Sequence, residues 1–161
     1  MIRAYVALGA NLGEPRATIS AALAALADLA STTVVARSSL YRTAPVGLKH
    51  QPDFINAVAA LDTALTPWQL LEALFALEAH FGRSRSVPNA PRTLDLDLLL
   101  HGDTSLGEAR LTLPHPRMHE RAFVLAPLAE IAPGCAIPGR GLVADLLSAC
   151  GEQRIARIDG P

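Results

Sequence analysis

The chain is poor in lysine, aromatics and cysteine, and each shortage excludes something. Only Lys49 is a lysine among 14 basic residues, which are offset by 15 acidic ones for a net charge of −1. No global basic field is present to hold a long nucleic acid. Aromatic residues make up 4% of the chain, too few for a row of base-stacking platforms. The two cysteines, Cys135 and Cys150, fit no metal or redox spacing and are too sparse for a disulfide scaffold. There is no G-x-x-x-x-G-K-[ST] phosphate loop, no signal-peptide pattern at the N-terminus, and no apolar run of the roughly 20 residues a membrane span needs. These absences imply a cytoplasmic protein that acts without nucleic acid or membrane, with a monomer as the default state.

What remains is ample core material. Half of the 161 residues are hydrophobic and 18% are charged, which suits one globular domain over residues 1–161. Tyr5–Leu8 reads as a buried strand, and Gly9-Ala10-Asn11-Leu12-Gly13 as a turn in which two glycines and an Asn supply unusual backbone angles. Ile19, Leu23, Leu26 and Leu29 recur at helical spacing and predict a helix over 15–30. Thr32–Ser39 reads as a strand, 42–52 as a loop and Asp53–Asp62 as a strand. Thr66, Pro67 and Gln69 form a capping-box start for a helix to about His80. Gly82–Pro91 reads as a polar loop, Leu94–His101 as an apolar strand, Leu111–Leu113 as an edge strand, 117–130 as a helix and Leu142–Ala149 as a last short helix. The order β-α-β-β-α-β plus a C-terminal extension is that of a ferredoxin-like α+β sheet.

The informative stretch is Pro91-Arg92-Thr93-Leu94-Asp95-Leu96-Asp97-Leu98. Strand alternation puts Asp95 and Asp97 on one face and Leu94, Leu96 and Leu98 on the other. Two carboxylates on one face of an apolar strand repel each other and lose hydration, so a cation must offset the cost. A divalent metal does this, and hard oxygen donors suit Mg²⁺ with phosphate oxygens completing its shell. Taken alone, a D-x-D pair is equally an exposed strand face with two solvated acids. The surroundings add weight to the first reading: Arg83, Arg85, Arg92, Arg110, Arg117 and Arg121 crowd this part of the chain with His115 and His119. Carboxylates among arginines are the parts of phosphoryl-transfer chemistry. A second group holds Thr43, Pro45, Val46, Phe54, Asn56 and Phe123. Phe54 and Asn56 share one strand face; an amide beside a ring suits a flat, hydrogen-bonding heterocycle, but on the residues alone core phenylalanines with a backbone-capping Asn are the favoured reading.

Five motifs in order carry a resemblance that spans nearly the whole chain. They are Ala7–Gly13, Ser38–Pro45 with Gln51–Ala57, Pro91–Asp97, and Leu113–Leu125. In these the chain resembles the 6-hydroxymethyl-7,8-dihydropterin pyrophosphokinases of folate synthesis. The resemblance implies transfer of pyrophosphate from ATP to 6-hydroxymethyl-7,8-dihydropterin, with release of AMP. It implies two Mg²⁺ ions on Asp95 and Asp97, and Arg83, Arg92 and Asp97 as the catalytic set. Glu78, Arg85, Arg92, Leu98, Arg110, Thr112, His115 and Arg121 would line the ATP side. Thr43, Ala44, Val46, Phe54, Asn56 and Phe123 would hold the pterin, its ring sandwiched between Phe54 and Phe123. The family often carries an Arg-Trp-Gly-Pro-Arg run where this chain has Pro88-Asn89-Ala90-Pro91-Arg92. The Trp of that run is absent, and Trp68 starts a helix and cannot replace it.

Overall fold

The computed structural model describes residues 1–44, 52–82, 94–151 and 153–158. Its centre is a pair of long strands, β1 (Ile2–Ala10) and β4 (Phe54–Thr63), paired antiparallel along their whole length from Ile2↔Thr63 to Ala10↔Ile55. Ala4, Val6, Leu8 and Ala10 of β1, with Ala57, Ala59 and Leu61 of β4, point to one face and are sealed from water. Alternation of this kind fixes which residues the opposite face can offer.

Helix α1 (Pro15–Ala27) starts on Pro15, whose missing N–H costs nothing at that position. It lays Ile19, Ala22, Leu23 and Leu26 on the buried face. The helix ends at Ala27 rather than 30, because the Asp28 and Leu29 amides turn back to Ala25 and Leu26 and Ser31 takes a left-handed φ of 52°. Helix α2 (Pro67–His80) opens with the expected capping box: Thr66 Oγ1 accepts from the Gln69 amide at 3.1 Å, and Gln69 Oε1 accepts from the Thr66 amide at 2.9 Å. Its Leu70, Leu71 and Leu74 join the same core, each buried side chain contributing roughly 1.5–3 kcal/mol.

The segment after α1 differs from the sequence reading. In place of one strand over 32–39 there are two, β2 (Thr32–Arg37) and β3 (Leu40–Thr43), so residues 42 and 43 belong to a strand and not a loop. The break is made by serines. The Ser38 amide donates to the Val58 carbonyl and its hydroxyl accepts from the Val58 amide, both at 2.9 Å. Ser39 is held by Glu130. Side-chain bonds here replace ladder bonds and let the chain step along β4. β2 then pairs with the Ala59–Thr63 end of β4 and β3 with the Phe54–Asn56 end.

β5 (Asp95–His101) pairs antiparallel with β1. Its register steps from Val6↔Leu98 to Tyr5↔Leu100, a bulge that leaves Leu99 extra and turns both Leu99 and Leu100 toward the second face. Asp95 and Asp97 lie before the bulge. Two short hairpins follow, β6 (Leu106–Gly107) with β7 (Thr112–Leu113), and β8 (Ala136–Ile137) with β9 (Gly141–Leu142). The last strand, β10 (Ile155–Ile158), pairs with β3, an element the sequence reading did not anticipate. Among the described residues the main sheet runs β10-β3-β4-β1-β5, with β2 also on β4.

The second face is covered by α3 (Ala122–Ile131) and α4 (Val143–Ala149), packed on Val58, Leu99 and Leu100 through Val124, Leu125, Leu128 and Val143. The helix expected from 117 begins only at Ala122. Met118–Glu120 forms a 3₁₀ turn, and Arg121 is extended with φ −114° and ψ 107°. With β2 and β3 read as one broken strand, the architecture is the expected ferredoxin-like β-α-β-β-α-β sheet.

Candidate active site

Alternation along β1, β4 and β5 sends Gly9 and Ala7, Asn56, and Asp95 and Asp97 to the second face, at the end that α3 leaves uncovered. Register places Asn56 and Asp95 on either side of Gly9, and Val58 and Asp97 on either side of Ala7. Two strand spacings, about 10 Å, therefore separate the amide row from the carboxylate row. Above them lies a cleft of about 350 Å³. Asp95, Asp97, Arg117 and Arg121 line it together with Thr43, Ala44, Phe54, Asn56 and Phe123.

The apolar end is built by β3, β4 and the start of α3. Phe54 and Asn56 are two apart on β4, and both reach the cleft. Asn56 is buried, and its Nδ2 donates to Thr43 Oγ1 at 2.8 Å, which sets the orientation of the carboxamide. Asn11, also buried, donates from Nδ2 to the Pro52 carbonyl at 3.1 Å and ties the end of β1 to the approach of β4. That is its role here: in the 9–13 turn only Gly13 has a positive φ, 64°, so the unusual angles expected of Gly9 and Asn11 are not present.

At the charged end, the Arg121 guanidinium carbon lies 5.5 Å from the Phe123 ring centroid, a cation–π contact joining the two ends of the cleft. Burial pulls the Arg121 guanidinium below its ordinary value, and Asp97 opposes that shift. His115 is anchored by its amide to the Leu99 carbonyl at 2.9 Å. Its Nδ1 accepts from the Arg117 amide at 3.2 Å, which leaves the proton of the neutral ring on Nε2. Burial, then the Arg121 charge, push the His115 pKa down to about 4, against the pull of Asp95. A neutral ring with its N–H free to donate suits an anionic ligand without adding a proton of its own.

His115 and Thr112 line a second, shallower groove with Pro138, Gly139 and Arg140. Three expected ATP-side residues are not brought to either depression as side chains. Leu98 points into the α1–α2 core, because β5 alternation sends it to the face opposite Asp97. Glu78 is buried and accepts from the Leu96 amide at 2.8 Å, bracing β5 from behind. Arg110 extends over the surface to Glu72 at 2.9 Å. Arg83, Arg85, Arg92 and Val46 lie outside the described residues. The sequence reading did not assign Gly9, Arg117, Glu120 or Gln153 to the site, yet all four line the cleft. Arg117 was legible in the arginine cluster and Gly9 in its turn, whereas nothing local marks Gln153.

No His, Cys, Asp and Glu cluster of three or more exists among the described residues. The donor set is two carboxylates on one strand face, which fits a hard divalent cation whose remaining ligands come from phosphate and water. Likewise, no described helix is long and apolar enough to cross a membrane.

Fold and cleft together define a ferredoxin-like α+β protein whose cleft joins paired carboxylates and two arginines to an end lined by Phe54, Asn56 and Phe123. Residues 5–133 match the family model of 7,8-dihydro-6-hydroxymethylpterin-pyrophosphokinase, and the chain belongs to that family. It is 51% identical over 158 residues to the 2-amino-4-hydroxy-6-hydroxymethyldihydropteridine pyrophosphokinase of Pseudomonas aeruginosa, with 98% of each chain covered. It is 41% identical over 159 residues to the protein of the same description from Haemophilus influenzae, with 99% of each covered. Among solved structures, the wild-type HPPK-DHPS of Plasmodium falciparum with pteroate superposes with a TM-score of 0.73 at 12% identity. That match covers 92% of this chain and 42% of the longer one, and it speaks to the fold alone.

Proposed function

We propose that the chain transfers the pyrophosphoryl group of ATP to 6-hydroxymethyl-7,8-dihydropterin, a step of folate biosynthesis. One observation carries this reading: a single cleft brings Asp95 and Asp97 together with Phe54, Asn56 and Phe123, about 10 Å apart across the sheet. That separation supports a reading in which the pterin occupies one end and the ATP phosphates the other. The extent of the similarity to the curated pyrophosphokinases supports a catalytic role over a binding module.

In the reaction the hydroxymethyl oxygen forms a bond to the β-phosphorus. The bond from that phosphorus to the oxygen bridging it to the α-phosphate breaks, and AMP departs with the bridging oxygen. The hydroxyl proton is lost late in a loose transition state, so a general base is not strictly required; Asp97 is the candidate if one takes part. Phe54 and Phe123 hold the ring, and Asn56 hydrogen-bonds its amide edge. Thr43 keeps the Asn56 carboxamide from rotating, which lowers the ordering cost of binding. Arg121 adds positive charge beside the transferred group, and His115 offers Nε2–H to a phosphate or ribose oxygen. Arg83 and Arg92 complete the catalytic set and Arg85 the ATP side. Asp95 and Asp97 would hold Mg²⁺, two ions with ATP, which when bound offset charge on the phosphate oxygens.

The test is direct. Protein, Mg-ATP and 6-hydroxymethyl-7,8-dihydropterin are mixed and the products separated. AMP and the pterin diphosphate are expected in equal amounts, with neither formed when the pterin is omitted. ADP as the sole nucleotide product would contradict the proposal.

A further inference from the structure

Gln153 comes from the far end of the chain, yet it lines the cleft. Its Oε1 accepts from the Ala122 amide at 2.8 Å, and its Nε2 donates to the Glu120 carbonyl at 2.7 Å. One orientation of the carboxamide satisfies both bonds, and the two partners straddle Arg121. Arg121 is extended between a 3₁₀ turn and a helix, its amide donating to the Met118 carbonyl and its carbonyl accepting from the Val124 and Leu125 amides. Ala122 is the first residue of α3, so its N–H has no acceptor within the helix, and the residue before it supplies no side-chain cap. Gln153 supplies that acceptor from a distance.

The same segment reaches the opposite wall. Ile155, two residues on, is in register with Thr43 on β3, and Thr43 holds the Asn56 carboxamide. Residues 153–155 therefore link the wall that carries Arg121 and Phe123 to the wall that carries Thr43 and Asn56. We propose that Gln153 is a positioning residue, which sets the distance between these two walls and so the fit of the heterocycle between Phe54 and Phe123. This rests on the pterin reading of the cleft. Gln153 need not touch the substrate; it acts through the peptide groups on either side of Arg121.

The test uses Gln153→Ala and Gln153→Met in the full chain. The Met variant keeps the length and volume of the side chain and removes only its hydrogen bonds, so it guards against loss of the fold. Steady-state KM and kcat for the pterin are measured with thermal stability below saturating ligand. Both variants are expected to raise the pterin KM about tenfold, the equivalent of one hydrogen bond's net contribution, with kcat at saturation changed less. A pterin KM within about twofold of wild type in both variants would overturn the inference whatever happens to Tm, and would leave Gln153 a brace of the fold. Wild-type protein is run alongside. If it forms no pterin diphosphate, the reading of the cleft fails and the inference fails with it; if it turns over and the variants match it, the inference alone fails.

Discussion

A β-carbon placed on Gly9 would stand 3.1 Å from Asn56 Oδ1. The two residues are in register on neighbouring strands and face the same cleft. Gly9 is thus a glycine because of close approach and not because of its backbone angles, which are those of a strand. In Gly9→Ala the carboxamide must move by a few tenths of an ångström or lose its bond to Thr43. The expected result is a pterin KM raised about five- to tenfold with Tm nearly unchanged. Enzyme kinetics on the variant check this, and an unchanged KM would remove Asn56 from pterin recognition.

Asp97 faces the cleft two residues from Asp95, on a strand whose other face is core. Replacing it with Ala removes one hard oxygen donor from the proposed metal pair. Turnover is expected to fall by about 10³-fold or more, while pterin affinity changes little, because the end proposed for the ring, at Phe54, Asn56 and Phe123, lies across the sheet from Asp97. Comparing kcat with pterin binding measured by fluorescence tests the division of labour. Near-normal turnover would contradict the metal assignment.

His115 should remain neutral through mildly acidic pH. Its pKa lies at about 4 in the fold against 6.5 for the free side chain, with burial and then Arg121 as the main causes. Between these values the unfolded chain binds the extra proton and the folded one does not. The contribution of His115 to stability therefore rises with pH from about 4 to about 6.5 and is flat above that window. Protonation would also place a hydrogen on Nδ1, where the Arg117 amide now donates. An NMR titration of the ring in metal-free protein reads the midpoint, and a value at or above 6.5 would contradict the buried, neutral state.

Glu130 is the knot that holds β3 and β10 to α3. Its carboxylate accepts from the Ser39 amide and hydroxyl and from Tyr41 Oη at 2.7 Å, with Arg157 at 3.5 Å. Tyr41 is buried, so Glu130→Ala strands its hydroxyl and is expected to cost about 2–3 kcal/mol in chemical denaturation. Burial, then the bond to Glu130, push the Tyr41 pKa up from 10.0 to about 12. In that window the unfolded chain loses the phenolic proton and the folded one keeps it. Stability from Tyr41 is thus full below pH 10 and is lost as pH rises toward 12. Tyr41→Phe should flatten that part of the stability profile, and an unchanged alkaline slope would place its cause elsewhere.

The parts of this molecule that obey local periodicity are legible in the order of its residues. Alternation in β5 sets Asp95 and Asp97 together, alternation in β4 does the same for Phe54 and Asn56, and Thr66 and Gln69 mark the start of α2. The parts that depend on distant partners are not. Ser38 and Ser39 break the second strand because Val58 and Glu130 wait to bond them, 20 and 91 residues away. β10 has isoleucines at 155 and 158, a spacing that suggests no strand until β3 is beside it. Arg110 belongs to the arginine cluster by position, yet Glu72 on α2 draws it away from the cleft. Gln153 enters the site only because the chain's last strand returns to it.

In pyrophosphoryl transfer two phosphates of ATP move as a unit, which sets this chemistry apart from ordinary kinase transfer. ATP labelled with ³²P at the β-position distinguishes the two outcomes in one chromatogram. With Mg²⁺ and 6-hydroxymethyl-7,8-dihydropterin present, the label is expected to migrate wholly with the pterin product, and the AMP released is expected to be unlabelled. Label retained in ADP, with a singly phosphorylated pterin, would contradict pyrophosphoryl transfer.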